Sequence, residues 1–485
     1  MRTGDDYLKS IAKDGRSIYL NGERVNDVTT HPGFKGATHS IARLYDLANA
    51  NTDTCTFLSP NTGQPVPNYY LIPKSVEDLR KRREAITMLS NATYGLMGRT
   101  PDHVASFFTG FASRPQVFAD SNRPYPDNVL RFYEKARDEQ LYVAYTIIQP
   151  QIDRTKSAHE QDDSFLAAGI YEEREDGVVI RGAQMLGTGA AIADYLFLSC
   201  IQPLKPGDEN YAMSLVVPLN APGLRLYPRQ TYADHKPSLY DYPLSTRFDE
   251  TDALVVFRDV FVPWENIFVC KNVAYARAQW FDTPAHVLGN TQAQVRLVSK
   301  VKFLAGLAHK IASTNRVDKL PPVQSQLADV ASIAAIIEGM VLAAENTAIQ
   351  AADGIVTPNP RFLYSVMGLQ AELYPRLVHL VRELAGGGVI QLPASVQEFT
   401  NPETGDDIRR YIQSPGVPAE ERVKLFKLAW DITGSEFGGR HLQYEMFYAG
   451  APFVAKGYAY RNYGFQEAMA IVDTALAEYD LSSEP

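Results

Sequence analysis

Apolar positions along this chain change their period twice. Leu79, Ile86 and Leu89 sit at spacings suited to one helical face, and Val129, Phe132, Tyr133 and Ala136 repeat that spacing between Pro126 and Gln140. Ser75-Val76-Glu77-Asp78 reads as a helix N-cap with an acid at the third position. Residues 1–70 are rich in turns, with Asn21-Gly22 a hairpin signal. The first 140 residues are therefore expected to be mainly helical. From Leu141 the pattern becomes that of short strands: Tyr142–Ile148, then Gly169–Glu173 and Val178–Ala183 around the turn Asp176-Gly177. Tyr195–Ile201, Tyr211–Leu219, Leu224–Tyr227 and Ala253–Phe257 follow, which predicts a small antiparallel barrel or sandwich. From about Asn272 helical spacing returns. Leu297, Val301, Leu304, Ala308 and Ile311 form one stripe. Leu327, Val330, Ala334, Ile337 and Val341 form another, on a helix apolar on several sides and so expected inside a bundle. The division is 1–140 mainly helical, 141–271 β, and 272–485 a helical bundle.

Composition narrows the class. A chain of 485 residues with 45% apolar and 21% charged residues can bury a large core. Its net charge of −9 argues against nucleic-acid binding. Cys55, Cys200 and Cys270 are scattered and odd in number, with no CxxC, so neither a disulfide framework nor a zinc site is expected and a reducing cytoplasm fits. The N-terminus MRTGDDYLKS has no apolar leader segment and no run approaches 18 apolar residues, so no membrane partner is expected. There is no GxGxxG opening a βαβ unit, no GxSxG, no Walker loop and no HExxH. The nine histidines are scattered, no metal is expected, and His39, His309 and His379 read as structural.

Candidate chemistry gathers after the first long helix. In Tyr94-Gly95-Leu96-Met97-Gly98-Arg99-Thr100-Pro101-Asp102-His103 the glycines permit close backbone approach and Pro101 sets a turn. Such a loop can present a fixed cation, Arg99, beside a group that accepts a proton near neutral pH, His103. The alternative is a surface pair of Arg99 with Asp102 and a half-exposed histidine.

The stretch Asp241–Val269 joins the β region to the bundle and carries a family likeness. Its Tyr242-Pro243-Leu244-Ser245, Arg247-Phe248-Asp249-Glu250 and Val262-Pro263-Trp264-Glu265-Asn266 resemble the large oxygenase component of the 4-hydroxyphenylacetate 3-monooxygenases. The resemblance runs from Arg2-Thr3-Gly4 to the C-terminal helix. It implies an α+β, acyl-CoA dehydrogenase-like fold: an N-terminal mainly helical domain, a central antiparallel β-barrel or sandwich, and a C-terminal bundle ending in an oligomerisation helix. It also implies a flavin-dependent phenol hydroxylase that uses FAD as FADH2, O2 and a C4a-hydroperoxyflavin to add a hydroxyl ortho to an existing one. A separate NAD(P)H:flavin reductase and a homo-oligomer, dimer or tetramer, follow from the same likeness.

By this resemblance Arg99 is the substrate-binding arginine. The family has Tyr where this chain has His103, and a substrate-binding His where it has Tyr145, so the two side-chain types are exchanged. Tyr145, Thr146, Ile147, Gln151, Ile152, Asp153 and Arg154 correspond to a flavin-binding segment, with Arg154 suited to the pyrophosphate. Gly187 and Thr188 would lie near flavin N5 and C4a. Gly387 and Gln391, in Gly386–Pro393, resemble a glycine-rich segment approaching the flavin diphosphate, often across a subunit interface; a plain helix C-cap is the other reading. Phe437, Arg440, Tyr448 and Gly450 would line the flavin, with Arg440 at a phosphate, or else anchoring the bundle through Glu436 or Glu445. Two other readings stay open: an acyl-CoA dehydratase or dehydrogenase of the same fold, and a non-catalytic flavin-binding homologue.

Overall fold

The structure, a computed structural model, describes residues 1–120, 123–236 and 238–479; residues 480–485 of the expected bundle lie outside this range. Local signals act as expected at several points. Ser75 accepts the Asp78 N–H and starts the helix Val76–Ala92. Asn21 and Gly22, both at positive φ, turn Ile18–Leu20 back on Glu23–Val25. Asp176-Gly177 closes the hairpin of Gly169–Glu173 with Gly177–Gln184.

Two sheets form the β region. The larger has six strands in the order Glu23–Val25, Ile18–Leu20, Leu224–Pro228, Ala253–Pro263, Gly177–Gln184 and Gly169–Glu173. The smaller runs Ile267–Cys270, Met213–Pro218, Tyr195–Ser199, Val143–Thr146. One expectation is corrected here. The sheets are not wholly antiparallel, because Ile18–Leu20 pairs parallel with Leu224–Pro228, and Val143–Thr146 parallel with Tyr195–Ser199. Both pairs are joined by long crossovers, and hydrophobic period carries no information on strand direction. In the N-terminal region helices predominate, and its hairpin completes the larger sheet.

In the bundle, Leu297, Val301, Leu304, Ala308 and Ile311 are all buried along the helix Ala285–Thr314. The helix Pro321–Asn346 departs from expectation. Val330, Ile333, Ile337 and Val341 pack inward, but Ile336 and Leu342 are exposed, so it lies on the outside of the bundle in one chain. By length and composition it is also apolar enough to cross a membrane, although its apolar residues are broken up by polar ones.

The contact that positions the site is the crossing of the helix Pro101–Ser113 over Ala285–Thr314. Gly110 lies directly against the backbone of Ala285, and Gly289 lies directly on the Phe107 ring; a Cβ on either glycine would overlap its neighbour. Aromatic rings fill the space beneath. Phe108 meets Phe111, Phe197 and Phe268 edge-on, and Trp280 packs edge-on to Phe107 and Phe111. Replacing Gly110 by Val should force the two helices apart and lower stability by about 1–3 kcal/mol. Urea unfolding measures this, and an unchanged midpoint would mean that the crossing has slack.

Candidate active site

The loop carrying Arg99 is held by its backbone. Tyr94 and Gly95 adopt positive φ and end the preceding helix. Glu250 then accepts the N–H groups of Gly98 and Arg99, one on each carboxylate oxygen, both at 2.9 Å. The Tyr142 hydroxyl donates to the Arg99 carbonyl at 2.5 Å. The charged corner of the Asp241–Val269 stretch thus serves as a clamp for the loop.

With its backbone fixed, the Arg99 guanidinium lies among three rings: its Cζ is 5.1 Å from the Tyr145 centroid, 5.3 Å from Tyr444 and 4.9 Å from Tyr448. The residue is 9% exposed and its Nη1 has no partner in the structure. Burial works against its charge, Glu250 nearby favours it, and the guanidinium stays protonated. Burial also holds Tyr444 above the usual phenol range and pushes Tyr448 up to about 12. At neutral pH these residues offer ring faces and neutral hydroxyls, not counter-charges. Arg99 is therefore a desolvated cation with one unpartnered amino group.

His103 is fully buried one turn into the next helix. Its Nδ1 lies 2.8 Å from Gln292 Oε1, its Nε2 has no partner, and its ring centre is 5.3 Å from that of Tyr145. Burial, then Arg99 and Arg296, push its pKa well below the ordinary histidine value, against the opposing Gln292 bond, so it is neutral at neutral pH. The surface-pair alternative is excluded: Arg99 makes no bond to Asp102, whose carboxylate instead accepts from Thr100 Oγ1 and from Gln292 Nε2.

The expected flavin residues divide into two groups. Tyr145, Thr146 and Ile147 lie on one strand edge with Gly187 and Thr188. Thr146 Oγ1 donates to the Met185 carbonyl at 3.0 Å, and Ile148 bridges to Met185. Thr188 Oγ1 donates to Asp252 at 2.6 Å. Gln151, Ile152 and Arg154 are exposed on the loop beyond, where Asp153 caps Thr155. Tyr448 belongs to the Arg99 cluster. Gly387, Gln391 and Gly450 are exposed, and none contacts the Arg99 cluster among the described residues.

Two roles are corrected. Arg440 does not face open space for a phosphate: it is buried, with Nε and Nη2 on Asp252 and Nη1 on Glu250. Its anchors are also not the expected Glu436 or Glu445. Arg229 adds a second cation to Asp252 and also binds Asp249. Burial would raise Asp252, but Arg440 and Arg229 hold it well below the usual carboxylate range. Phe437 is buried edge-on to His441, with ring centres 4.3 Å apart, so its ring packs the bundle and does not line an open site.

Beneath the cluster lies a network that sequence reasoning missed. Glu445 binds Arg296 with both oxygens and Lys300 at 2.8 Å, and accepts from Gln370 at 2.6 Å. Lys300 also donates to His441 Nδ1 at 2.9 Å, and Arg296 donates to the Gly95 carbonyl at 3.2 Å, which ties the network to the Arg99 loop. Burial would raise Glu445, yet Arg296 and Lys300 hold it at about 2; burial lowers Lys300 to about 8 despite Glu445. Tyr444 was also missed. It stands four residues after Arg440 and four before Tyr448, on one helical face, and that spacing was the available signal.

Comparisons with known proteins agree with this geometry. Residues 3–269 match the family model "4-hydroxyphenylacetate 3-hydroxylase N terminal" and residues 276–477 match its C-terminal counterpart. The chain is 33% identical over 461 residues to a 4-hydroxyphenylacetate 3-monooxygenase oxygenase component of Geobacillus sp. (strain PA-9), covering 95% of this chain and 93% of the relative. It is 34% identical over 493 residues to the oxygenase component of a 4-nitrophenol 2-monooxygenase of Rhodococcus sp, covering 99% and 92%. Among solved structures, the oxygenase component of 4-hydroxyphenylacetate 3-monooxygenase complexed with FAD and 4-hydroxyphenylacetate superposes with a TM-score of 0.93 at 30% identity, covering 99% of each chain. The expected acyl-CoA dehydrogenase-like α+β arrangement is borne out by such whole-chain superpositions.

Glu445→Gln should leave Arg296 and Lys300 buried without their anion and cost about 3–5 kcal/mol at neutral pH. The folded Glu445 value lies below its unfolded value of about 4.3. Its contribution is therefore fully present above that value and lost as pH falls toward about 2. Urea midpoints of the parent and variant should converge on acidification; a gap that is constant with pH would remove Glu445 as its source.

Proposed function

The chain belongs to the 4-hydroxyphenylacetate 3-hydroxylase family, and we propose that it is the oxygenase component of a two-component, flavin-dependent monooxygenase that hydroxylates a phenol ortho to its hydroxyl group. The observation that carries this reading is the pair of unpartnered buried atoms on Arg99 and His103. One is an N–H on a cation and the other a ring nitrogen of a neutral imidazole. Together they complement a phenol oxygen that must lose its proton.

The cofactor is FAD, used as FADH2, and the residues present fit it. The Thr188 hydroxyl hydrogen is committed to Asp252, so its oxygen is left as an acceptor for a donor such as the N–H of a reduced flavin. Leu186, at positive φ, and Ile152 are exposed apolar side chains near the same edge, and burying them under a flat ring would be favourable. Gly187, Thr188, Tyr145, Thr146, Ile147 and Gln151 would hold the ring system, and Asp153 and Arg154 the ribose and diphosphate end. Held by these residues, the reduced flavin would supply the electrons for O2 activation, and the transferred oxygen atom would come from O2.

The protein's own part is binding, charge and dryness. Free phenols ionise near pH ~10. The Arg99 charge, in a site with little water, stabilises the phenolate and raises electron density at the ortho carbon. His103 Nε2 accepts the phenol proton. Tyr145, Phe107 and Trp280 form a continuous ring wall that keeps water out. A separate NAD(P)H:flavin reductase would supply FADH2. The C-terminal helices expose Phe453, Tyr460, Phe465, Met469, Ile471 and Val472, which supports a homo-oligomer, dimer or tetramer, built on this surface. Gly387, Gln391 and Gly450 would meet a flavin through such an assembly. Three free cysteines fit a cytoplasmic setting.

With FADH2, O2 and a panel of phenols, at least one phenol should gain an ortho hydroxyl. Arg99→Met should lower kcat/KM for that phenol on the order of 10²-fold or more, while FADH2 oxidation continues and yields H2O2. Product analysis by mass spectrometry decides the matter. Consumption of FADH2 with no oxygen found in any phenol would sink the reading, and a fully active Arg99→Met would sink the role of Arg99.

A further inference from the structure

We propose that Gln292 and Asp102 are positioning residues that lock His103 in the tautomer with its proton on Nδ1, so that Nε2 is the atom available to take the phenol proton. The inference rests on the phenol-hydroxylase reading and adds to it the device that prepares the base.

The amide of Gln292 bridges Asp102 and His103. Its Nε2 donates to Asp102 Oδ2 at 3.0 Å, so Oε1 faces His103 Nδ1 at 2.8 Å. An amide oxygen only accepts, and the ring nitrogen opposite must therefore carry hydrogen. Reversing the amide would set an oxygen against the Asp102 carboxylate and an N–H against Nδ1, which would then have to accept. Asp102 resists that reversal because its other oxygen accepts from Thr100 Oγ1. Burial pushes the Asp102 carboxyl up, whereas Thr100, Gln292 and the nearby Arg82 act to keep it ionised.

The surroundings leave no competing partner for Nδ1. Tyr145 and Phe107 meet the imidazole with their rings, and the charged groups facing it are Arg99 and Arg296, which are donors. All of these residues except Arg99 and Tyr145 lie on the two helices whose close crossing at Gly110 and Gly289 fixes the distance from His103 to Gln292. The amide spacer has its own consequence. A carboxylate bonded directly to Nδ1 would favour the imidazolium and place a second cation beside Arg99 before substrate arrives. Gln292 fixes the tautomer and leaves the ring neutral. When phenol binds, its O–H bond breaks, the electron pair stays on oxygen facing Arg99, and the proton forms an N–H bond at Nε2. The Nδ1–H remains on Gln292 and steadies the imidazolium.

The test reads the tautomer directly. The full-length protein is labelled with ¹⁵N in its histidine rings and studied by NMR at neutral pH. The His103 signals are identified by their loss in His103→Asn or, should that variant fail to fold, by the pair that moves in Gln292→Met. The expected pattern is a neutral ring protonated at Nδ1. In Gln292→Met, similar in volume but without an acceptor, the Nε2-protonated form should become populated. A parent His103 protonated at Nε2, or one unaffected by Gln292→Met, overturns the proposal. A second arm uses the FAD-loaded protein and 4-nitrophenol, whose phenolate absorbs in the visible. The pH midpoint for ionisation of the bound probe should rise in Gln292→Met by about one unit, a tenfold loss of proton affinity at the acceptor. Equal midpoints count against the relay alone. Failure of the parent to bind or ionise any phenol counts against the proposed function, and the NMR result then still decides the tautomer.

Discussion

A guanidinium without a carboxylate of its own is the constraint on which the rest of this structure depends. Arg99 is held out of water against three tyrosine rings, and burial keeps the Tyr444 and Tyr448 hydroxyls protonated at physiological pH. Left to itself such a group would turn to solvent or draw in a carboxylate. Glu250 prevents both by holding the loop through its backbone: its two oxygens are spent on the Gly98 and Arg99 N–H groups and on Arg440, so it fixes where Arg99 stands without neutralising it from the front. In the proposed function, the unspent charge is what the oxygen of a bound phenol would meet.

Holding that arrangement requires rigidity from behind, and two buried ionic clusters provide it. Asp252 gathers Arg440, Arg229 and Thr188, so the edge proposed for the flavin and the Glu250 clamp share one set of bonds. Glu445 gathers Arg296, Lys300 and Gln370, and Arg296 reaches the Gly95 carbonyl at the base of the loop. Ion pairs of this kind add little net stability compared with apolar packing. Their value here is geometric, because each fixes several elements at once and each becomes costly if one member is removed. The glycine-mediated crossing at Gly110 and Gly289 does the same for His103 and Gln292 by steric means.

Local chemistry was legible in the sequence and pairing was not. Asn21-Gly22, Asp176-Gly177 and Ser75 act within a few residues, so turn and cap rules found them. Arg99 and His103 were visible together because one glycine-bearing loop and one helix start present both. Arg440 was visible as a cation, but its partners lie 188 and 190 positions earlier, and no spacing rule reaches that far. The flavin-facing role expected for it fails for that reason. Gln292 had no signal at all: an amide in the middle of a long helix belongs to no motif, and its importance comes from what the helix crossing puts beside it. The exposed side of Pro321–Asn346 misled for the opposite reason, since an apolar face looks the same in sequence whether its own chain or a second copy covers it.

The exchange of histidine and tyrosine that the family resemblance implies would be compatible with this geometry. Their rings lie 5.3 Å apart, so either position can place an imidazole near the same phenol oxygen. What differs is the support behind each. Position 103 sits on a buried helix immediately after Asp102 and opposite Gln292, where a ring nitrogen can be held in one tautomer. Position 145 sits on a half-buried strand edge, beside the proposed flavin surface, where a flat phenol ring packs against Arg99 and Phe107. Moving the imidazole to the helix thus trades a base near the cofactor for a base near the fixed cation. In the proposed function, proton removal and phenolate stabilisation would then fall to residues four positions apart on one loop and helix start, and Tyr145 would shape the wall. A substrate suited to this site is one whose hydroxyl reaches toward the Pro101–Ser113 helix.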